Sequence, residues 1–278
     1  MEGGGAYGDV IHCSVDQYCH NGWSMDHLGF PPVDLMLLSP PETAVPLLLA
    51  ALCVARTRPK AARPAEAKPA APLPPDGRLD IAAFASCVTQ ALAPHRPSYM
   101  RLPIGWPGEA CRFTGPLDYL GYDGGGGIGS GPGMAVGAAL ALQGSNRLPV
   151  AVIGDGDYLM GVTALWTAAH YRIPLLLIVA NNSSFFNDEV HQERVARQRS
   201  RPIENRWIGL RISDPVCDLA ALARGQGVEG VGPIATPGEL TAAVQAAALR
   251  VLAGAACVID ARVTPGYDRA VVQGTNRA

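Results

Sequence analysis

Charge is scarce in this sequence. Only 17% of its 278 residues are charged, 22 basic against 24 acidic, giving a formal net charge of −2 and a pI of about 6.3. That balance leaves no electrostatic footprint for nucleic acid or for an anionic membrane. The opening residues, MEGGGAYGDV, lack the basic start and apolar core of a signal peptide. No apolar run is long enough to span a bilayer. The longest uncharged one, Ala44 to Ala55, contains Pro46 and reads as a buried helix. Cysteine is present but unpatterned. The seven, Cys13, Cys19, Cys53, Cys87, Cys111, Cys217 and Cys257, are odd in number, with no CxxC and no zinc-ligand spacing. They read as reduced thiols of a cytoplasmic protein. No internal repeat is evident.

A hydrophobic content of 48% supports a sizeable core. Residues 1–55 form a small first segment. Val33–Leu38 reads as a short buried strand, and Pro40-Pro41-Glu42 opens a helix running to about Ala55. One strand and one helix cannot close a core, so this segment reads as the remnant of a domain. Residues 56–78 are rich in proline and alanine and read as an extended, solvated linker. From about Leu79 onward strands and helices alternate. The expected strands are Ser98–Pro103, Pro149–Ile153, Pro174–Ala180, Val228–Val231 and Cys257–Val263. The expected helices are Leu79–Ala93, Pro132–Gln143, Met160–Tyr171, part of Asp188–Arg201, Pro215–Gln226, and one capped at Thr236 that ends near Ala253. Continuous apolar strands between helices predict an α/β fold, a doubly wound, mostly parallel sheet with helices on both faces.

In such a sheet, ligands sit beyond the carboxyl ends of the strands. Two strand ends carry unusual polar residues. PVAVI ends in Gly154-Asp155-Gly156-Asp157, and PLLLIVA ends in Asn181-Asn182-Ser183-Ser184. The 24 residues between Gly156 and Asn181 hold one helix and one strand, so the two ends can be neighbours. A carboxylate, an amide oxygen and a backbone carbonyl then converge. Hard oxygen ligands in that number suit Mg²⁺ bound together with diphosphate oxygens. The glycines beside Asp155 permit close backbone approach.

The GDG, the gap and the NN pair together resemble the cofactor motif of thiamine diphosphate-dependent enzymes of the acetolactate synthase and benzoylformate decarboxylase group. Gly126-Gly127-Ile128-Gly129-Ser130-Gly131 resembles the loop that meets the cofactor's rings, and Ala164–Pro174 resembles the matching helix of benzoylformate decarboxylase. On this resemblance, residues 1–55 correspond to the end of a middle domain and 79–278 to the C-terminal, diphosphate-binding domain. The resemblance implies Asp155 and Asn182 as side-chain ligands of Mg²⁺, with Ser184 adding its backbone carbonyl. Gly126 would accept a hydrogen bond from the aminopyrimidine, and Ile128 would be the apolar wedge that bends the cofactor. Gly154, Gly156 and Asp157 would border the diphosphate, Gly156 and Asp157 through backbone N–H groups near a helix N-terminus. The implied chemistry is attack by the cofactor's carbanion on a small-molecule 2-oxo acid, for decarboxylation or carboligation.

Other readings stand beside these. Alone, Asp155 is a helix cap and Asn181-Asn182 a turn. Gly124–Gly133 imitates a dinucleotide fingerprint, but RFTGPLDYLGY before it reads as loop rather than strand. His170 reads as structural and Trp166 as core. Arg194, Arg197, Arg199 and Arg201 read as a solvated face or an entrance rim, and His191 is the titratable group among them. Two departures from the family pattern appear. Asp157 stands where a small hydroxyl residue is usual, bringing extra negative charge near the diphosphate. Ser183-Ser184 replaces a glycine-containing turn. The resemblance also implies an activating glutamate on a pyrimidine-binding domain that nothing here matches; Glu109 and Glu189 sit in the wrong domain. The chain is therefore expected to be inactive alone and to need a homo-oligomer or a partner chain with a pyrimidine-binding domain. A non-catalytic binding module or an inactive, truncated relic is the alternative.

Overall fold

The computed structural model describes residues 9–15, 33–52, 77–121 and 127–266. These divide into two compact units, the first formed by described residues up to 52 and the second by those from 77 onward.

In the first unit, β1 (Ile11–Ser14) and β2 (Leu35–Leu38) pair in parallel, Ile11 opposite Leu35, and α1 (Pro41–Ala51) follows. β1 was not anticipated: IHCS is too short to show a period. None of the described residues of this unit is buried, and Leu47 and Leu49 are 68% and 61% exposed. The strand at Leu35–Leu38 and the apolar helix after it, both expected to be buried, are exposed, because the described residues of this unit are too few to cover them.

The second unit contains β3 (Pro97–Met100), β4 (Leu148–Gly154), β5 (Leu175–Asn181), β6 (Glu229–Ile234) and β7 (Ala256–Arg262). They form one parallel sheet in the order β3-β4-β5-β7-β6. The central strands are apolar throughout because both faces are covered. Alternate residues divide between two cores. Val150, Val152, Leu176, Ile178 and Ala180 face one, shared with α2 (Ile81–Leu92) and α8 (Pro237–Leu252). Ala151, Ile153, Leu175, Leu177 and Val179 face the other, shared with α3 (Gly131–Ala141), α5 (Ala164–Tyr171) and α7 (Leu219–Gly225). The expected doubly wound α/β fold is present.

The expected helix Met160–Tyr171 is two helices. α4 (Asp155–Gly161) starts at the aspartate itself, and α5 follows after Val162-Thr163. Gly161 ends α4 against the Gly129 carbonyl, where a Cβ would lie 2.3 Å from that oxygen. α7 starts at Leu219 rather than Pro215 because Asp218 caps it, accepting the Ala221 N–H at 2.7 Å. Thr236 caps α8 as the sequence predicts, through the Glu239 N–H and carboxylate. Trp166, expected in the core, is 56% exposed and stacks on His170 one helical turn later, with ring centroids 4.7 Å apart.

Candidate functional site

β4 and β5 are adjacent and level, with Gly154 opposite Ala180, so their polar ends emerge side by side. Asp155 is 2% exposed. Its Oδ1 accepts the Gly156 N–H at 2.9 Å and its Oδ2 the Ser184 N–H at 3.1 Å. The Ser184 N–H also reaches the side-chain oxygen of Asn182, at 3.0 Å. One backbone donor thus holds the carboxylate of one strand end and the amide oxygen of the next at the same point. Burial raises the Asp155 pKa to about 6, against the partial opposition of backbone N–H groups led by Gly156 and Ser184. No basic side chain pairs with Asp155 among the described residues.

The two asparagines have separate tasks, set by the twofold period of the strand. Asn181 follows Leu177 and Val179 onto the α3–α5–α7 face. There its amide donates to Asp260 Oδ1 at 2.7 Å, tying β5 to β7. Asp260 is fully buried, and burial pushes its pKa up. Asn182 continues the parity of Ile178 and Ala180 and lines the cleft. The turn closes through Ser183, whose φ of +59° is the left-handed conformation that a glycine would adopt without strain. Its N–H donates to Asn181 Oδ1 at 3.0 Å, and its hydroxyl accepts from Arg262 at 3.1 Å.

The cleft above these strand ends has a volume of about 570 Å³, within the range of small-molecule sites. Gly154, Asp155, Gly156, Asp157, Asn182, Ser184 and Ile128 all line it. Gly126 lies outside the described residues. An apolar part of its wall is formed by Ile81, Leu102, Pro103, Ile104 and Tyr119. A Cβ on Gly154 would meet nothing within 4 Å, so its glycine leaves open cleft beside the carboxylate. Gly156 is constrained differently: a Cβ there would lie 2.2 Å from the Phe185 ring. Its lack of a side chain lets the Phe185 ring pack against it while it lines the cleft.

Asp157 does not project free charge into the cleft. Its Oδ2 lies 2.6 Å from Arg101 Nε, and its Oδ1 accepts the N–H groups of Gly129 at 2.6 Å and Gly131 at 3.2 Å. Arg101 was missed in the sequence, since nothing local marks an arginine at the end of a short strand. Glu189 is buried, accepting the Ser184 hydroxyl, with Arg211 3.8 Å away. It braces the turn and does not line the cleft. His191 is exposed on α6 (Phe186–Gln198), also away from the cleft lining. Arg197 pairs with Glu193 on that helix at 2.7 Å, and none of Arg194, Arg197, Arg199 and Arg201 lines the cleft.

The fold and cleft define a class: a doubly wound α/β unit whose adjacent strand ends bring the buried Asp155 carboxylate beside the Asn182 amide oxygen. The family model for the C-terminal, thiamine pyrophosphate-binding domain of thiamine pyrophosphate enzymes matches residues 104–261. The chain belongs to that family. It is 32% identical to benzoylformate decarboxylase of Pseudomonas aeruginosa over 195 residues, 66% of this chain and 31% of that protein. It is 30% identical to the acetolactate synthase large subunit of Parasynechococcus marenigrum over 127 residues, 45% of this chain and 19% of that protein. The chain thus spans at most about a third of the curated relatives it matches. Among solved structures, a thiamine diphosphate-dependent 4-hydroxybenzoylformate decarboxylase of Rhodococcus jostii RHA1 superposes with a TM-score of 0.64 at 24% identity. That match covers 94% of this chain and 44% of the other. Benzoylformate decarboxylase from Polynucleobacter necessarius gives 0.54 at 21% identity, over 68% of this chain and 33% of the other. These two likenesses support the fold.

Proposed function

We propose that the second unit binds thiamine diphosphate through Mg²⁺, as the C-terminal part or a subunit of an enzyme that decarboxylates or carboligates 2-oxo acids. One observation supports this most: Asp155 is a buried carboxylate, held beside the Asn182 oxygen by the Ser184 N–H, with the backbone N–H groups of Gly156 and Ser184 as its hydrogen-bond donors. A cation at that point offsets the desolvation that raises its pKa. Among the described residues no group of three or more His, Cys, Asp or Glu could hold a metal. A metal held by Asp155, the Asn182 oxygen and the Ser184 carbonyl therefore takes its remaining ligands from diphosphate and water, the habit of Mg²⁺.

In this reading Gly154 leaves room for the diphosphate and Asp157 offers it a backbone N–H; the Gly156 N–H, held by Asp155 Oδ1 in the ligand-free chain, would have to be shared with it. Ile128 is the wedge beneath the rings, and Gly126 the acceptor for the aminopyrimidine. The bound cofactor supplies the nucleophilic carbon. The apolar wall from Ile81 to Tyr119 excludes water around it. No glutamate lines the cleft among the described residues, so the acid that activates the aminopyrimidine is assigned to a partner chain that carries a pyrimidine-binding domain. The five described cysteines are unpaired, in keeping with a cytoplasmic setting. No described helix is long and apolar enough to cross a membrane.

Turnover tests this division of labour. With Mg²⁺ and thiamine diphosphate, the chain alone is expected not to consume pyruvate or benzoylformate, and not to accelerate deuterium exchange at the thiazolium carbon. Losing general acid–base assistance typically slows a reaction about 10²–10⁴-fold. Rapid exchange by the isolated chain would mean that its own residues supply the acid.

A further inference from the structure

The segment from Gly127 to Gly131 reaches the cleft edge through Ile128, and two side chains from elsewhere hold it. From the end of β3, Arg101 donates through Nη1 to Ser130 Oγ at 2.7 Å and through Nη2 to the Gly127 carbonyl at 3.1 Å. From α4, Asp157 accepts the N–H groups of Gly129 and Gly131 on Oδ1. The two clamping groups meet each other, Arg101 Nε to Asp157 Oδ2, at 2.6 Å. Their side chains are 12% and 9% exposed, so the contact is shielded from solvent.

The local sequence is shaped around this contact. A Cβ on Gly131 would lie 2.2 Å from Asp157 Oδ2. Gly129 has a φ of +97° and passes against Met160, where a Cβ would come within 3.0 Å. Arg101 itself has a φ of +49°, a conformation that disfavours residues with a side chain. Gly131 and Arg101 thus accept a steric or conformational restriction at the ion pair itself, and Gly129 accepts one in the loop that the pair holds.

We infer that Arg101 and Asp157 are a paired positioning device: together they fix the 127–131 loop, and with it Ile128, at the cleft edge, and Arg101 neutralises a carboxylate that would otherwise face an anionic ligand. Asp157 follows Asp155 and Gly156 and lines the same cleft as Arg101. Without the guanidinium, a buried carboxylate is left uncompensated beside the place assigned to the diphosphate. The second half of this inference rests on the proposed cofactor; the first half, the clamp, does not.

The two halves are therefore measured separately on the full chain. In the ligand-free protein, hydrogen exchange at the Gly129 and Gly131 amides reads the clamp directly. Arg101→Gln and Asp157→Ser should each accelerate it at least about tenfold while β4 and β5 keep their protection. Arg101→Lys, which retains the charge without the guanidinium fork, should fall between them and the unaltered chain. Unchanged exchange in Arg101→Gln would overturn the clamp. Calorimetry with Mg²⁺ and thiamine diphosphate then reads the charge. Arg101→Gln should weaken binding about tenfold or more, and adding Asp157→Ser to it should recover most of that loss, because the uncompensated carboxylate is gone. Additive losses, or binding by Arg101→Gln equal to that of the unaltered chain, would overturn the neutralising role. An unaltered chain that binds no cofactor would refute the proposed function, and with it the neutralising role, while the exchange experiment still decides the clamp.

Discussion

Asp155 has a consequence for stability opposite in sign to its consequence for binding. Burial raises its pKa from 3.8 to about 6 in the metal-free chain. A carboxyl group whose folded pKa lies above its unfolded one contributes stability that is full below the unfolded value. That contribution is lost as the pH rises through the folded value. The separation of roughly two pKa units corresponds to about 3 kcal/mol, so above pH 6 the metal-free fold is destabilised by about that much. Asp155→Asn removes the charge at nearly constant shape. Asparagine has one acceptor oxygen for the two N–H groups that Asp155 accepts, from Gly156 and Ser184, and the lost bond costs about 1 kcal/mol. The variant is expected to be more stable than the unaltered chain by about 2 kcal/mol at pH 7.5 without metal, a rise of about 4–8 °C in Tm. The gain should vanish near pH 4. Unfolding followed by tryptophan fluorescence, without metal and at stepped pH, measures the difference; Trp106, Trp166 and Trp207 all belong to the second unit. An Asp155→Asn variant less stable than the unaltered chain at pH 7.5, or a difference independent of pH, would refute the reasoning.

Two further pairs of variants separate folding from binding. Asn181→Leu strips the fully buried Asp260 of its 2.7 Å hydrogen bond and should destabilise the fold by about 1–3 kcal/mol in urea titrations. Asn182→Leu should leave stability nearly unchanged and weaken Mg²⁺-dependent cofactor binding more than Asn181→Leu does; the reverse order would place the metal on the other asparagine. Gly156→Ala drives a methyl group into the Phe185 ring and should lower stability by about 1–3 kcal/mol. Gly154→Ala meets nothing in the ligand-free chain. It should change stability by less than about 0.5 kcal/mol yet weaken the cofactor's affinity, and unaltered affinity would show that the diphosphate does not pass there.

The sheet was legible because its central strands are apolar runs separated by helices, and parity along those runs divides them between two cores. The adjacency of Asp155 and Asn182 followed from the short gap between them, read as one helix and one strand; the gap holds two helices, α4 and α5, but the pairing of β4 with β5 bears the adjacency out. The same parity separates Asn181 from Asn182. Other features depend on distant partners. Arg101 meets Asp157 from 56 positions earlier, across the sheet edge, and no local pattern announces that contact. Trp166 reads as core by residue type, but α5 turns that face outward. The break between α4 and α5 depends on the Gly129 carbonyl packing against Gly161, a contact between segments distant in the chain.

The central claim is that Asp155 and Asn182 hold a metal-bridged diphosphate. Calorimetric titration of the full chain with thiamine diphosphate, with and without Mg²⁺ and repeated for Asp155→Ala, tests it most directly. The account predicts saturable binding only with Mg²⁺, abolished by Asp155→Ala. Binding of equal affinity without the metal, or unchanged in Asp155→Ala, would contradict it.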